Sequence, residues 1–401
     1  MSAAVSPSSP VAMPGRIFPA MAIHAVTVMA FLAASTAPTP LYRLYQAEWH
    51  FSPILLTVIF AVYALALLAA LLVAGGLSDH IGRRPVITLA LVLEIGAMLL
   101  FIEASDPSWL IAARILQGIA TGLATAALGA ALIDLHHEHG ALTNGIGPMA
   151  GMALGALGAT ALSQMQAGSL ELIYEVMLAV FAVQLVLTWV VPETARKRRG
   201  VWRSLIPSIA IPAAARATLL AISPLNIAFW MLGGFLMSLM PSLLAVITGS
   251  DSIWLGGLCV AAMTLSGGIA LYLVRRLPAH RCIQLGGVGL LLGGGAMLLG
   301  VNAAWPVPLL AGCMVGGAGF GSGFLGSVRS LMPLAPPEER AALMATFYME
   351  SYLSFSLPAI AGGFLAQRFG LLTAANIYGA TVLLLAAAGL TAFLAIRRKA
   401  E

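Results

Sequence analysis

Several runs in this sequence carry residues able to hold a charge or pass a proton. In FYMESYLSFSLPAIAGG, Glu350 and Ser354 stand four apart, as do Tyr348 and Tyr352, so each pair shares one face of a helix. A carboxyl removed from water favours its neutral form, which suits a group that loads and releases protons. RILQG supplies Arg114 and Gln117, and Thr121 and Thr125 extend the same polar stripe at steps of four. LVLEIGAM contains Glu94, and an apolar run near the start contains His24, whose imidazole titrates near neutral pH or serves structurally. GGLSDHIGRRP groups Gly75, Asp79, Gly82, Arg83 and Arg84 in a tight turn, and Asp134 closes GAALID. SPLNIAFWMLGG adds Asn226 and Trp230 among methionines, soft side chains that suit varied apolar ligands or fill an ordinary core.

These groups are embedded in apolar sequence. Of 401 residues, 60% are hydrophobic and 9% charged, against about 25% charged in soluble domains. So few charges cannot cover a soluble surface of this size, which excludes a soluble enzyme, a disordered chain and a nucleic-acid binder. A spanning helix needs about 20 apolar residues, and the runs are long and continuous rather than alternating, so the fold is all-α and membrane-embedded. Helices are predicted at 17–41, 53–77, 86–102, 108–135, 141–164, 171–191, 218–247, 253–274, 282–301, 305–331, 338–365 and 371–396.

This gives a disordered segment 1–16, a six-helix bundle 17–191, a polar linker 192–217, a second six-helix bundle 218–396 and a tail 397–401. Every Lys and Arg except Arg43, Arg114 and Arg368 then falls on one side. Under the positive-inside rule that side is the cytoplasm, with both termini in it. A charge inside a span costs roughly 2.5–3.5 kcal/mol on insertion scales. Arg114 is therefore either functional or extended toward the headgroups. Small residues recur every four positions in two spans: Gly118, Gly122, Ala126 and Ala130 in one, Gly147, Gly151, Gly155 and Ala159 in the other. Such faces let helices approach closely.

The Gly75–Pro85 turn resembles the loop between the second and third helices of the major facilitator superfamily, G-x-L-[SA]-D-x-x-G-R-[RK], with His80 where a basic residue is common. RILQG is similar to that family's fourth-helix motif. Gly147-Pro148 followed by Gly151 partly matches the fifth-helix motif of its drug:proton antiporters, with Thr143 and Met152 where glycines are usual. The resemblance implies twelve helices in two bundles. It further implies that Asp79 faces the start of the eleventh helix and that Arg83 pairs with Asp134, so that Gly75, Asp79, Gly82, Arg83, Arg84 and Asp134 gate the transporter and hold it outward-open. It also ties Arg114 to proton coupling.

The sequence has no phosphate-binding G-x-x-x-x-G-K-[ST] loop, so an ion gradient is the expected energy source. The reading is a monomeric multi-pass transporter of a bacterial inner membrane, neither an enzyme nor a carrier of a cofactor or metal. It exports a small amphipathic or apolar compound in exchange for protons by alternating access. Glu350 is the preferred proton carrier, with Glu94 and His24 as secondary sites; Arg114, Gln117, Tyr348, Tyr352, Ser354, Asn226 and Trp230 contribute to coupling or binding. A proton symporter importing a small metabolite is the alternative, and a non-transporting membrane sensor a remote one.

Overall fold

The computed structural model describes residues 14–165, 170–195, 200–249 and 252–400. Among these, helices are the dominant structure. The first half contains α1 (Pro14–Thr36), α2 (Pro38–Trp49), α3 (Pro53–Ala74), α4 (Leu77–Ile81), α5 (Arg83–Ile102), α6 (Pro107–Leu135), α7 (His137–Met165) and α8 (Leu172–Thr188). After the short α9 (Val201–Ser204), the second half contains α10 (Ala213–Ser238), α11 (Met240–Thr248), α12 (Trp254–Val274), α13 (Ala279–Asn302), α14 (Pro306–Leu331), α15 (Arg340–Phe369) and α16 (Leu371–Ala400).

Among the described residues, ten helical stretches are long and apolar enough to cross a membrane, with α1 and α2 counted together. Two more complete the twelve: α8, which is apolar but 17 residues long, and α15, 30 residues long and more polar because it carries Glu350. Twelve crossings return the chain to the end at which it started.

Local sequence sets several boundaries. Ser52 caps α3 by accepting from the Leu55 amide at 3.3 Å, with Pro53 in the first turn. Asp106 caps α6 through the Ser108 amide at 2.7 Å, with Pro107 following. Proline at the first helical position loses no hydrogen bond. The fully exposed Asp106 carboxyl is held below the usual carboxylate range by the Ser108 hydroxyl and amide. Its capping contribution is therefore present at neutral pH and fades only as acid drives the carboxyl through that lowered value.

The predicted helix 17–41 breaks at Ala37 ahead of Pro38 and resumes as α2 to Trp49, and the predicted helix 218–247 breaks at Leu239 ahead of Pro241. In each case a proline near the start of the new helix removes a backbone donor. The predicted loop 136–140 shrinks to His136, because α7 starts at His137. Of the expected disordered segment, 14–16 belong to α1, and 1–13 lie outside the described residues, as do 196–199 of the linker.

Two large buried apolar cores form. One is built mainly from α1–α8, with Phe355 and Ala359 of α15 keyed into it; the other is built from α10–α16. Glycines bring backbones together. A Cβ at Gly118 would overlap the Tyr63 carbonyl, and one at Gly122 would lie 2.7 Å from the Leu67 carbonyl, which seats α6 on α3. Gly151 and Gly155 face the Met29 and Ala33 backbones and seat α7 on α1 in the same way. The halves meet along α3–α15 and α7–α12. At the end away from the termini they close tightly. A Cβ at Gly363 would strike Thr57, one at Gly257 would strike Thr160, and Ser242 of α11 donates to Gln46 of α2 at 3.4 Å.

Candidate functional site: a central cavity with one buried arginine

A cavity of about 410 Å³ lies between the two halves, within the usual range for a small-molecule site. Its walls come from α1, α3, α6 and α7 on one side and α10, α12, α14 and α15 on the other. Asn144, Leu271, Val328 and Met344 line it toward the end that carries the termini, whereas the opposite end is the closed one.

The cavity has two poles. Arg114 lies on α6, 1% exposed. One Nη donates to the Ser35 carbonyl at 2.8 Å and to Gln117 Oε1 at 2.7 Å. The guanidinium carbon sits 4.2 Å above the Tyr63 ring, a cation–π contact strengthened by burial. Gln117 turns its amide the other way and donates to Glu94 Oε1 at 3.1 Å. The helical step from Arg114 to Gln117 thus links the cavity wall to a fully buried carboxyl on α5. Glu94 Oε2 and Arg114 Nε have no hydrogen-bond partner.

The second pole is aromatic. Trp230 lies 5.1 Å from Tyr352, 5.6 Å from Phe320 and 5.7 Å from Phe355, centre to centre, and Phe355 meets Phe60 of α3 at 4.9 Å. Met149, Met152, Met237 and Met263 also line the cavity.

Of the sequence candidates, Arg114, Tyr348, Tyr352, Trp230 and Pro148 line the cavity. Glu350 does not. It accepts from Asn226 Nδ2 at 2.9 Å, and the same amide reaches Ser351 at 3.1 Å, so this group joins α15 to α10 within the second half. Ser354 donates to the Glu350 backbone carbonyl at 2.7 Å. His24 is buried on α1 with Nδ1 unpartnered and also stays outside the lining. Gly147 packs on Val28 and Met29 beside Gly151.

The charged turn forms within the first half. Arg83 pairs with Asp79 at 2.6 Å and with Asp134 at 3.1 Å, and donates to Ser78 at 2.6 Å. Asp79 is 46% exposed and takes Arg83 as its partner. The residue that sequence reasoning missed is Glu193, which follows the sixth span. Its carboxylate accepts the backbone amides of Arg83 at 2.8 Å and Arg84 at 3.0 Å, so it caps the start of α5. Arg84 returns a bond to the Val191 carbonyl. Gly82 has φ +108°, and a Cβ there would sit 2.7 Å from Glu193 Oε2. An acid immediately after a span, on the Arg-rich side, was the available signal. Gly75 begins the turn at the end of α3.

Two helical halves enclosing a central cavity lined by both have the architecture of a membrane transporter. The family model of the Major Facilitator Superfamily matches residues 23–315, and the chain belongs to that superfamily. Part of it is similar to the multidrug resistance protein MdtL. The match to the Salmonella dublin protein is 34% identical over 93 residues, covering 23% of this chain and 24% of that one. The match to the Salmonella paratyphi C protein is 36% identical over 84 residues, 21% of each. The matched stretch thus spans about a quarter or less of these relatives. Among solved structures, a bacterial homolog of the human lysosomal transporter Spinster, inward-facing and unoccupied, aligns with TM-score 0.77 at 14% identity over 95% of this chain and 98% of that one. A mutant of the nucleoside transporter NupG aligns with TM-score 0.72 at 13% identity over 93% and 99%. At these identities the likeness concerns the fold.

Proposed function

We propose that this protein exports a small amphipathic or apolar compound in exchange for protons, as a monomer in a bacterial inner membrane with both termini cytoplasmic. The halves 17–191 and 218–396 rock about the cavity as units. The observation carrying this reading is the Arg114–Gln117–Glu94 chain, which connects a titratable carboxyl to the wall of a largely apolar cavity. A carboxyl so placed senses cavity contents without occupying the cavity. The partial similarity to multidrug resistance proteins supports export. Glu94 takes the proton-carrying role in this reading, in preference to Glu350, because Gln117 links it to the cavity-lining Arg114, whereas Glu350 bonds to Asn226, which is outside the lining. The Asp79–Arg83–Asp134 cluster, braced by Glu193, stiffens the turn whose position changes as the halves move.

The test is transport in proteoliposomes under an imposed pH gradient. Glu94→Gln should bind substrate yet equilibrate it without accumulation, while Glu350→Gln should accumulate at nearly the wild-type rate. The reverse pattern returns the role to Glu350. Antiport also predicts proton release when substrate binds; proton uptake on binding would establish the symport alternative instead.

A further inference from the structure

The cavity's charge pattern defines a substrate class. Among the described residues Arg114 is the one charged side chain lining the cavity. Neither Glu94, which lies behind Gln117, nor Glu350, which faces Asn226, lines the cavity. Two lining side chains, Arg114 and Trp230, each hold a buried nitrogen, Nε and Nε1, that has no partner among the described residues and can only donate. A buried donor without an acceptor is costly, so a small turn of either side chain toward a ligand's acceptor gains a bond that the walls do not make among themselves.

An aromatic cage alone would also accept a quaternary ammonium. Here a fixed guanidinium already occupies the Tyr63 face, and no lining acid offsets it. Between these largely apolar walls a second cation is repelled by the guanidinium more strongly than it would be in bulk water. Building on the export reading, we infer that the cavity takes neutral or anionic aromatic compounds carrying a carboxylate or comparable acceptor group and rejects lipophilic cations. The acceptor lies toward Arg114 and the ring lies among Trp230, Tyr352 and Phe355.

Three probes on one scaffold separate the possibilities: 2-naphthoate, 2-naphthamide and 2-naphthylmethyl-trimethylammonium. Equilibrium binding to the purified full chain is measured by calorimetry with no gradient present. The naphthoate and the amide should bind at least about tenfold more tightly than the cation, the spacing expected of one poorly screened charge. Arg114→Gln should weaken naphthoate more than the amide and close the gap between naphthoate and the cation. Should that variant fail to fold, Asn144→Asp places an acid on the same wall and should bring the cation to an affinity at or above that of naphthoate. Equal or tighter binding of the cation by the wild type overturns the inference, as does binding of none of the three. Gradient-driven flux of a bound probe is read separately. Selective binding with flux indifferent to the pH gradient would sink proton-coupled export and leave the selectivity standing.

Discussion

At the residue scale, two kinds of polar contact hold the charged turn, and their magnitudes differ. The Arg83 pairs with Asp79 and Asp134 involve half-exposed acids, and such pairs contribute about 0–1 kcal/mol. Glu193 instead receives two backbone amides at the start of α5, charge-assisted bonds that contribute about 1.5–3 kcal/mol each. Glu193→Ala should therefore lower thermal stability more than Asp134→Ala, measured by unfolding of the purified protein in detergent; an equal or smaller effect would place the Asp134 pair first. Gly82→Ala should be damaging by a separate route, since its φ of +108° disfavours any side chain. Arg114, Gln117 and Glu94 were legible as polar residues inside spans. That they form one chain was not, because it requires knowing how α5 is turned toward α6. Glu350 illustrates the converse: helical spacing put it on a face with Ser354 but did not say whether that face met the cavity or α10.

At the element scale, glycines decide which helices touch. Gly118→Leu should unseat α6 from α3 and displace Arg114 from Tyr63, because its Cβ alone overlaps the Tyr63 carbonyl. The expected result is poor yield of folded protein, whereas Gly295→Leu, which meets open space, should be tolerated. If both variants folded equally well, close packing would not be what Gly118 supplies. The four-residue repeats of small side chains announced these seams. Helix length and apolar character likewise placed the spans. The breaks at Pro38 and Pro241 were less visible, because a proline near a helix start and one that ends a helix look alike until the preceding residue's torsions are known.

At the scale of the whole molecule, the halves are sealed at one end by α2 against α11 and by Gly363 and Gly257 against their opposite helices. A transporter of alternating access must open that seal in each cycle. Cysteines replacing Gln46 and Ser242 should cross-link under oxidation and stop transport, with reduction restoring it; undiminished flux in the linked protein would mean that this end never parts. The two short helices also stand in corresponding places, each following the long first span of its half after a single residue, Ala37 or Leu239. A one-residue joint turns on few torsions. The joints let α2 and α11 tilt as the halves part at the sealed end, so the rate of opening there would respond to a proline or glycine exchange at 37 or 239 even though neither position lines the cavity.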